Sequence, residues 1–153
     1  MLIALGCDHA GFVLKREIIE FLNSLGHKVI DCGCFSSQSC DYPDYAVPVA
    51  NYVSKGKADR GVLICGTGMG MGIIANKIRG IRAAVCYSDE TAKLASEHNK
   101  ANVLCLGVRT SNADDMKRRI KIWLETQFAG DRHQKRLDKI RYFENKHCKK
   151  SIL

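Results

Sequence analysis

A cysteine stands where an apolar run meets a glycine-spaced turn: Val62-Leu63-Ile64-Cys65-Gly66-Thr67-Gly68-Met69-Gly70. The apolar residues read as a buried strand. The glycines let backbone N–H groups turn inward and approach an anion closely. A helix starting near Met69 would bring the positive end of its dipole to the same spot, a setting that favours a thiolate at Cys65. A sulfur base, the Thr67 hydroxyl and several oxyanion donors in one turn are equipment for moving a proton on a carbon beside a carbonyl. A tight strand-to-helix turn holding an inert buried cysteine is the plain alternative, and the turn by itself supports both equally. The spacing does exclude two nucleotide loops. Glycines at 66, 68, 70 and 72 do not give Gly-x-Gly-x-x-Gly from Gly66 or Gly68, and Gly6-x-x-x-x-Gly11 is followed by Phe12 where a phosphate-binding loop needs lysine.

These groups need a scaffold, and the chain alternates strand and helix throughout. Short apolar strands are expected at Leu2–Gly6, Lys28–Asp31, Gly61–Cys65, Arg82–Cys86 and Asn102–Leu106. The first helix is expected from Phe12 to Leu25, with Leu14, Ile18, Phe21, Leu22 and Leu25 on one face and Gly26 as its stop. Others are expected from a cap at Asp44 to Ser54, over Met69–Ile78, from a Ser88 or Asp89 cap to His98, from an Asn112 cap to Phe128, and from an Asp131 cap toward Lys146. No repeat, low-complexity stretch or linker divides the 153 residues. The expectation is one α/β domain over 1–153, a Rossmann-like three-layer α/β/α sandwich on a five-stranded parallel sheet of order 2-1-3-4-5, with an extra C-terminal helix over 131–147. Open α/β sheets bind ligands where the strand order reverses. Here that point lies between the first and third strands, which brings the Cys7-Asp8-His9-Ala10-Gly11 loop beside Cys65.

Composition limits the setting. Apolar residues make up 46% of the chain, as in a soluble globular protein, and no apolar run reaches the ~18–20 residues of a membrane span. The start, Met-Leu-Ile-Ala-Leu-Gly, has no basic stretch or small-residue cleavage site, so a cytoplasmic location is expected. Of the 8 cysteines, Cys7, Cys65, Cys86 and Cys105 fall in or at the ends of strand-like runs, where a free thiol behaves as a small hydrophobe. Cys32-x-Cys34 with Cys40 and His27 is the one candidate metal cluster, and it lacks zinc-site spacing, so reduced thiols and no metal are expected. Residues 1–116 balance 12 basic against 12 acidic side chains, and residues 117–153 hold 12 basic and 4 acidic, so the tail supplies the whole net charge of +8. Such a tail suits nucleic acid, a phosphate on a small molecule, or a solvated helix face.

Other polar groups fit a small phosphorylated ligand. His98-Asn99 precedes the fifth strand, where both can donate to a ligand, although a histidine at a helix C-terminus is also an ordinary dipole partner. Arg109 follows that strand at the ligand edge. In Gly130-Asp131-Arg132-His133-Gln134-Lys135-Arg136 the two arginines are four apart and share a helix face, a spacing suited to bidentate phosphate recognition or to a solvated basic helix. Leu137, Ile140 and Phe143 form an apolar stripe that could pack across a subunit interface.

Together these segments resemble the ribose-5-phosphate isomerase B family, within the group that includes galactose-6-phosphate and allose-6-phosphate isomerases. The matching runs are Gly6-Cys7-Asp8-His9, Asp41-Tyr42-Pro43, Ile64-Cys65-Gly66-Thr67-Gly68, Ala75-Asn76-Lys77, Gly80-Ile81-Arg82-Ala83, His98-Asn99, Gly107-x-Arg109 and Gly130-x-Arg132-His133-Gln134-x-Arg136, in one order over nearly the whole chain. The resemblance implies an aldose–ketose isomerase that interconverts ribose 5-phosphate and ribulose 5-phosphate in the pentose phosphate pathway, without metal or organic cofactor. A hexose 6-phosphate isomerase is the alternative within the group, and a phosphate- or nucleic-acid-binding module the alternative outside enzymes. It further implies that Cys65 shuttles the proton between C1 and C2, that His98 assists ring opening with Asp8 as a possible helper, and that Thr67 with the amides of Gly66, Gly68, Met69 and Gly70 stabilises the enediolate. Asp8, His9, Tyr42 and Asn99 would bind sugar hydroxyls, while His9, Arg109, Arg132, His133 and Arg136 would surround the phosphate. It implies sites shared between subunits of a homodimer or dimer of dimers. One branch of the family lacks the cysteine and uses a glutamate two positions beyond the last amide donors of the glycine turn. That glutamate position is Met71 here, leaving Cys65 as the candidate base. Gly72 replaces a frequent serine, and the cysteine-rich 32–40 loop departs from the family pattern.

Overall fold

The computed structural model describes residues 1–147. Five strands, β1 (Leu2–Cys7), β2 (Lys28–Asp31), β3 (Arg60–Cys65), β4 (Ala83–Val85) and β5 (Val103–Gly107), form a parallel sheet. Between and after them run α1 (Phe12–Ser24), α2 (Pro43–Ser54), α3 (Met69–Ala75), α4 (Asp89–Glu97), α5 (Ala113–Glu125) and α6 (Asp131–His147). Alternate residues of each strand face opposite ways, so the sheet has two cores. Ile3, Leu5, Val62, Ile64, Leu104 and Leu106 pack against α1, α4 and α5, with Trp123 among them. Ala4, Leu63, Cys65, Val103 and Cys105 pack against α2 and α3. Among the described residues, no helix is long and apolar enough to cross a membrane.

The sandwich matches expectation except at one edge. The strand order is 2-1-3-5-4, not 2-1-3-4-5. All five residues of β5 are buried, whereas each of the three residues of β4 is partly exposed. The longer, wholly apolar strand therefore takes the inner place and the short one the edge. The reversal between β1 and β3 is unaffected.

Three helix ends also differ. The N-cap of α2 is Tyr42, with Pro43 first in the helix, so Asp44 lies in the first turn beside the dipole's positive end. Helix α3 stops at Ala75 because the Asn76 side chain exchanges two 2.9 Å hydrogen bonds with the Ala83 backbone, turning the chain into β4. Helix α5 stops at Glu125, where the Thr126 hydroxyl donates to the Ile122 carbonyl at 2.6 Å and its backbone becomes extended. Ser88 and Asn112 cap α4 and α5 through their side chains, as the sequence predicts.

Candidate active site

The carboxyl edge of β3 builds the first half of the site. Pairing of Cys65 with Gly107 and of Cys7 with Ile64 puts the ends of β1, β3 and β5 side by side. Gly68, at φ 81°, takes the left-handed turn that an L side chain resists. Its N–H points back at Cys65, donating to Sγ at 3.0 Å. An N–H aimed at sulfur stabilises negative charge there. Cys65 is only 4% exposed, which limits competing water. The Met69 N–H donates to Thr67 Oγ1 at 3.3 Å. The next amides of the first turn of α3, those of Gly70 and Met71, have no intrahelical acceptor by helix geometry. Met71 itself is fully buried in the α2–α3 core.

Neighbouring loops close around this turn. The Asp8 N–H donates to the Ile64 carbonyl at 3.1 Å, which seats the Asp8-His9 loop against the end of β3. The Asp8 carboxylate is 7% exposed and accepts from the Ala10 and Gly11 N–H groups at 2.9 and 3.3 Å. His9 accepts at Nδ1 from the Cys40 N–H at 3.2 Å, so a neutral ring carries its proton on Nε2. The Tyr42 ring lies over Gly70 so closely that a Cβ there would come within 2.6 Å of it. The Arg109 guanidinium covers Gly66, and the Arg109 backbone N–H donates to the Gly66 carbonyl at 2.9 Å. Asp8, His9, Tyr42, Cys65, Gly66, Thr67, Gly68, Met69, Gly70 and Arg109 are thus one cluster.

His98, Asn99, Arg132, His133 and Arg136 form a second cluster elsewhere. Helix α4 carries the chain from the carboxyl edge of the sheet back to the amino edge. His98, its C-cap, lies near the start of β5, while Cys65 lies beside its end. Five residues of strand at ~3.3 Å each place the two edges ~16 Å apart. The Ala129 N–H bonds to the Glu97 carbonyl at 2.9 Å and brings the start of α6 to His98. There the His133 ring, 5% exposed, stacks on His98. Arg132 Nε donates to His133 Nε2 at 3.4 Å, and Arg136 Nη1 lies 3.5 Å from Nδ1, so both exposed arginines gather at one imidazole. Burial, then the positive potential of His98, Arg132 and Arg136, hold His133 below the usual imidazole range. Asn99 is exposed at the edge of a 480 Å³ cavity between α6 and β4. Among the described residues, no hydrogen bond, stack or ion pair joins the two clusters.

Two features of the first cluster escaped the sequence reading. Cys40 supplies the N–H that orients His9, and no local pattern marks it. Buried Lys15 donates to the Cys34 carbonyl at 2.7 Å and to Asp31 at 2.9 Å, anchoring the start of the 32–40 loop. A buried lysine on the apolar face of α1 was the available signal. His27 does not join the loop cysteines: its Nδ1 is 3.4 Å from the N-terminal amine.

Comparison with known proteins defines the class. Residues 3–140 match the Ribose/Galactose Isomerase family model, and the chain belongs to that family. It is 47% identical over 144 residues to ribose-5-phosphate isomerase B of Escherichia coli strain K12, covering 94% of this chain and 97% of that protein. The structure of Clostridium thermocellum ribose-5-phosphate isomerase B superposes with a TM-score of 0.94 at 47% identity, over 96% of this chain and 99% of that one. The Mycoplasma genitalium enzyme, solved with bound ribulose 5-phosphate, gives 0.91 at 41% identity, over 94% and 96%.

Proposed function

We propose that this chain interconverts ribose 5-phosphate and ribulose 5-phosphate through an enediolate, with Cys65 as the base. The observation that carries the mechanism is the Gly68 N–H held 3.0 Å from Cys65 Sγ in a water-poor turn. In the aldose-to-ketose direction the Cys65 thiolate removes the C2 proton. The electron pair forms the C1–C2 double bond, and negative charge develops on the carbonyl oxygen. The Gly70 and Met71 amides and the Thr67 hydroxyl stabilise that oxygen. Cys65 then returns the proton to C1 as the C2 hydroxyl proton passes to the C1 oxygen and the C2 carbonyl forms. Asp8 and Tyr42 hold sugar hydroxyls, while His9 through Nε2–H and Arg109 meet the phosphate.

His98, which opens the ring, Asn99 and the Arg132–Arg136 pair with His133 come from a second copy of the chain. The separation of the two clusters supports this, since neither alone holds both a base and a ring-opening group. Exposed Met69 and Ile73 on α3 and Ile140, Tyr142 and Phe143 on α6 are apolar surface that a subunit interface would cover. The reading places α6 at that interface, treats 1–153 as one isomerase domain in the cytoplasm, and requires no cofactor or nucleic acid. Purified protein assayed with chelator on a panel of pentose and hexose phosphates tests it. Ribose 5-phosphate turnover is expected, preference for a hexose 6-phosphate would reassign the substrate, and inactivity on all would refute it.

A further inference from the structure

Helix α4 ends in the His98-Asn99 pair that the proposed reaction uses, and an arginine from outside the helix holds that end. The His98 N–H still bonds to the Leu94 carbonyl at 3.0 Å, as a helical residue does. Two residues on, Lys100 turns the chain at φ 47°, a left-handed conformation that a lysine side chain resists. Its N–H reaches back to the Ser96 carbonyl at 3.0 Å, and the Ala101 N–H to the Ala95 carbonyl at 2.8 Å. Glycine usually makes such a helix-ending turn. The path of Asn99 therefore depends on a turn that the residue beside it disfavours.

Arg82, just before β4, supplies the restraint. Its Nε donates to the Asn99 carbonyl at 3.2 Å and to the Lys100 carbonyl at 3.0 Å, and its Nη2 donates to the Lys100 carbonyl at 2.8 Å. Among the described residues, no other group donates a hydrogen bond to either carbonyl. The arginine is itself fixed from behind. Its backbone N–H donates to Asn102 Oδ1 at 2.8 Å, and the Asn102 N–H donates to the Arg82 carbonyl at 3.2 Å. Burial, then the positive charges of Arg60 and Arg141, pull the Arg82 guanidinium below the ordinary arginine range. A cation is thus kept where its charge is disfavoured, with its donors turned to two backbone carbonyls. Bonds from a charged donor are about twice as strong as neutral ones. Arg82 and Asn99 also line the same cavity between α6 and β4.

We propose that Arg82 is a positioning residue for the reaction: by gripping the Asn99 and Lys100 carbonyls it holds Asn99 where its side chain can meet a sugar hydroxyl. Arg82 acts through Asn99 and not on the substrate. The role rests on the reading of Asn99 as a hydroxyl ligand, whereas the grip on the two carbonyls does not.

A double-mutant cycle on the full chain tests it. Arg82→Lys keeps the charge and removes the planar fork. It should lower kcat/KM for ribose 5-phosphate about tenfold, while competitive inhibition by inorganic phosphate changes less than about twofold, because the proposed phosphate ligands lie on other segments. In the Asn99→Ala background the same change should cost less than about twofold. Lys100→Gly takes the left-handed turn freely, so it should restore Arg82→Lys to within about threefold of native. Losses that multiply in the double variant, or phosphate inhibition weakened as much as turnover, would make Arg82 a general support of the fold and overturn the proposal. So would native turnover in Asn99→Ala, or an Arg82→Lys defect that Lys100→Gly leaves unchanged. If the native protein turns over no ribose 5-phosphate, the functional reading fails and the role at Asn99 with it, and hydrogen exchange then decides the grip alone. Arg82→Lys should speed exchange of the Lys100 and Ala101 amides about tenfold and leave that of Leu104, inside β5, unchanged. Equal exchange in the two proteins would show that the turn holds without Arg82.

Discussion

The imidazole of His133 lies flat on that of His98, with ring centroids 4.1 Å apart and planes 11° from parallel. Two stacked rings flanked by two guanidinium groups do not readily share the site with another positive charge. Burial and these neighbours depress the folded-state pKa of His133 below its unfolded value of about 6.5. The unfolded chain therefore binds the proton first as pH falls. The contribution is fully present above about pH 6.5 and is lost as pH drops through the lower folded value. Thermal melts between pH 7.5 and 5 should show Tm falling more steeply for the native protein than for His133→Gln. Parallel curves would mean that His133 does not titrate against this cluster.

Cys65→Ala should lower kcat for ribose 5-phosphate by about 10²–10⁴-fold or more, the range of a lost proton-transfer group. Binding should persist, because the phosphate and hydroxyl contacts are proposed to come from other side chains. Turnover within a few-fold of native would remove Cys65 from the mechanism and leave the turn as structure only.

The Tyr42 contact leads to a separate expectation. A Cβ at residue 70 would stand 2.6 Å from the Tyr42 ring. That ring is 40% exposed and can swing outward, so Gly70→Ala should change Tm little. It should raise KM severalfold by displacing the proposed sugar-hydroxyl ligand. A large Tm loss with unchanged KM would show instead that the ring serves packing.

Residues of both clusters were named from the sequence, but only the arrangement of the first follows from local sequence. Cys65, Thr67 and the Asp8-His9 loop are placed by strand ends and glycine turns, which local sequence encodes well. The exchange of β4 and β5 was hidden because strand order depends on which strand is buried more deeply, and residues 82–86 and 102–106 read as similar apolar runs. His133 is expected among the phosphate ligands from the family resemblance alone. Its burial against His98 depends on a tertiary contact between the ends of α4 and α6 that no periodicity records. The 32–40 loop carries no periodic pattern at all, so the role of Cys40 at His9 emerged only from geometry.

Arg136 should behave as a specific phosphate ligand and not as part of a diffuse basic surface. It is drawn toward His133 with Arg132, while exposed Lys139 and Lys146 lie farther along α6. Arg136→Ala should raise KM by roughly 10–100-fold, the equivalent of a lost charge-assisted bond of about 1.5–3 kcal/mol. Lys139→Ala and Lys146→Ala should change it less than twofold. Equal effects at all three, erased by salt, would favour a general polyanion surface.

Sharing of the site between two copies can be tested by mixing inactive chains. Cys65→Ala lacks the proposed base, and His98→Ala/Arg136→Ala lacks the proposed ring-opening and phosphate groups of the other cluster. If each site combines the first cluster of one protomer with the second cluster of its partner, a mixed dimer holds one site with both defects and one with neither. Random reassociation of equal amounts makes half the dimers mixed, and half the sites in those are intact. Activity should therefore recover to about one quarter of the native value per site, appearing only after subunits have been dissociated and recombined. If both clusters served a site within one chain, every site in the mixture would retain a defect and activity would stay at the level of the separate variants. Exchange is verified in the same samples by native mass spectrometry with one chain isotopically labelled, so that absence of recovery counts against the shared site.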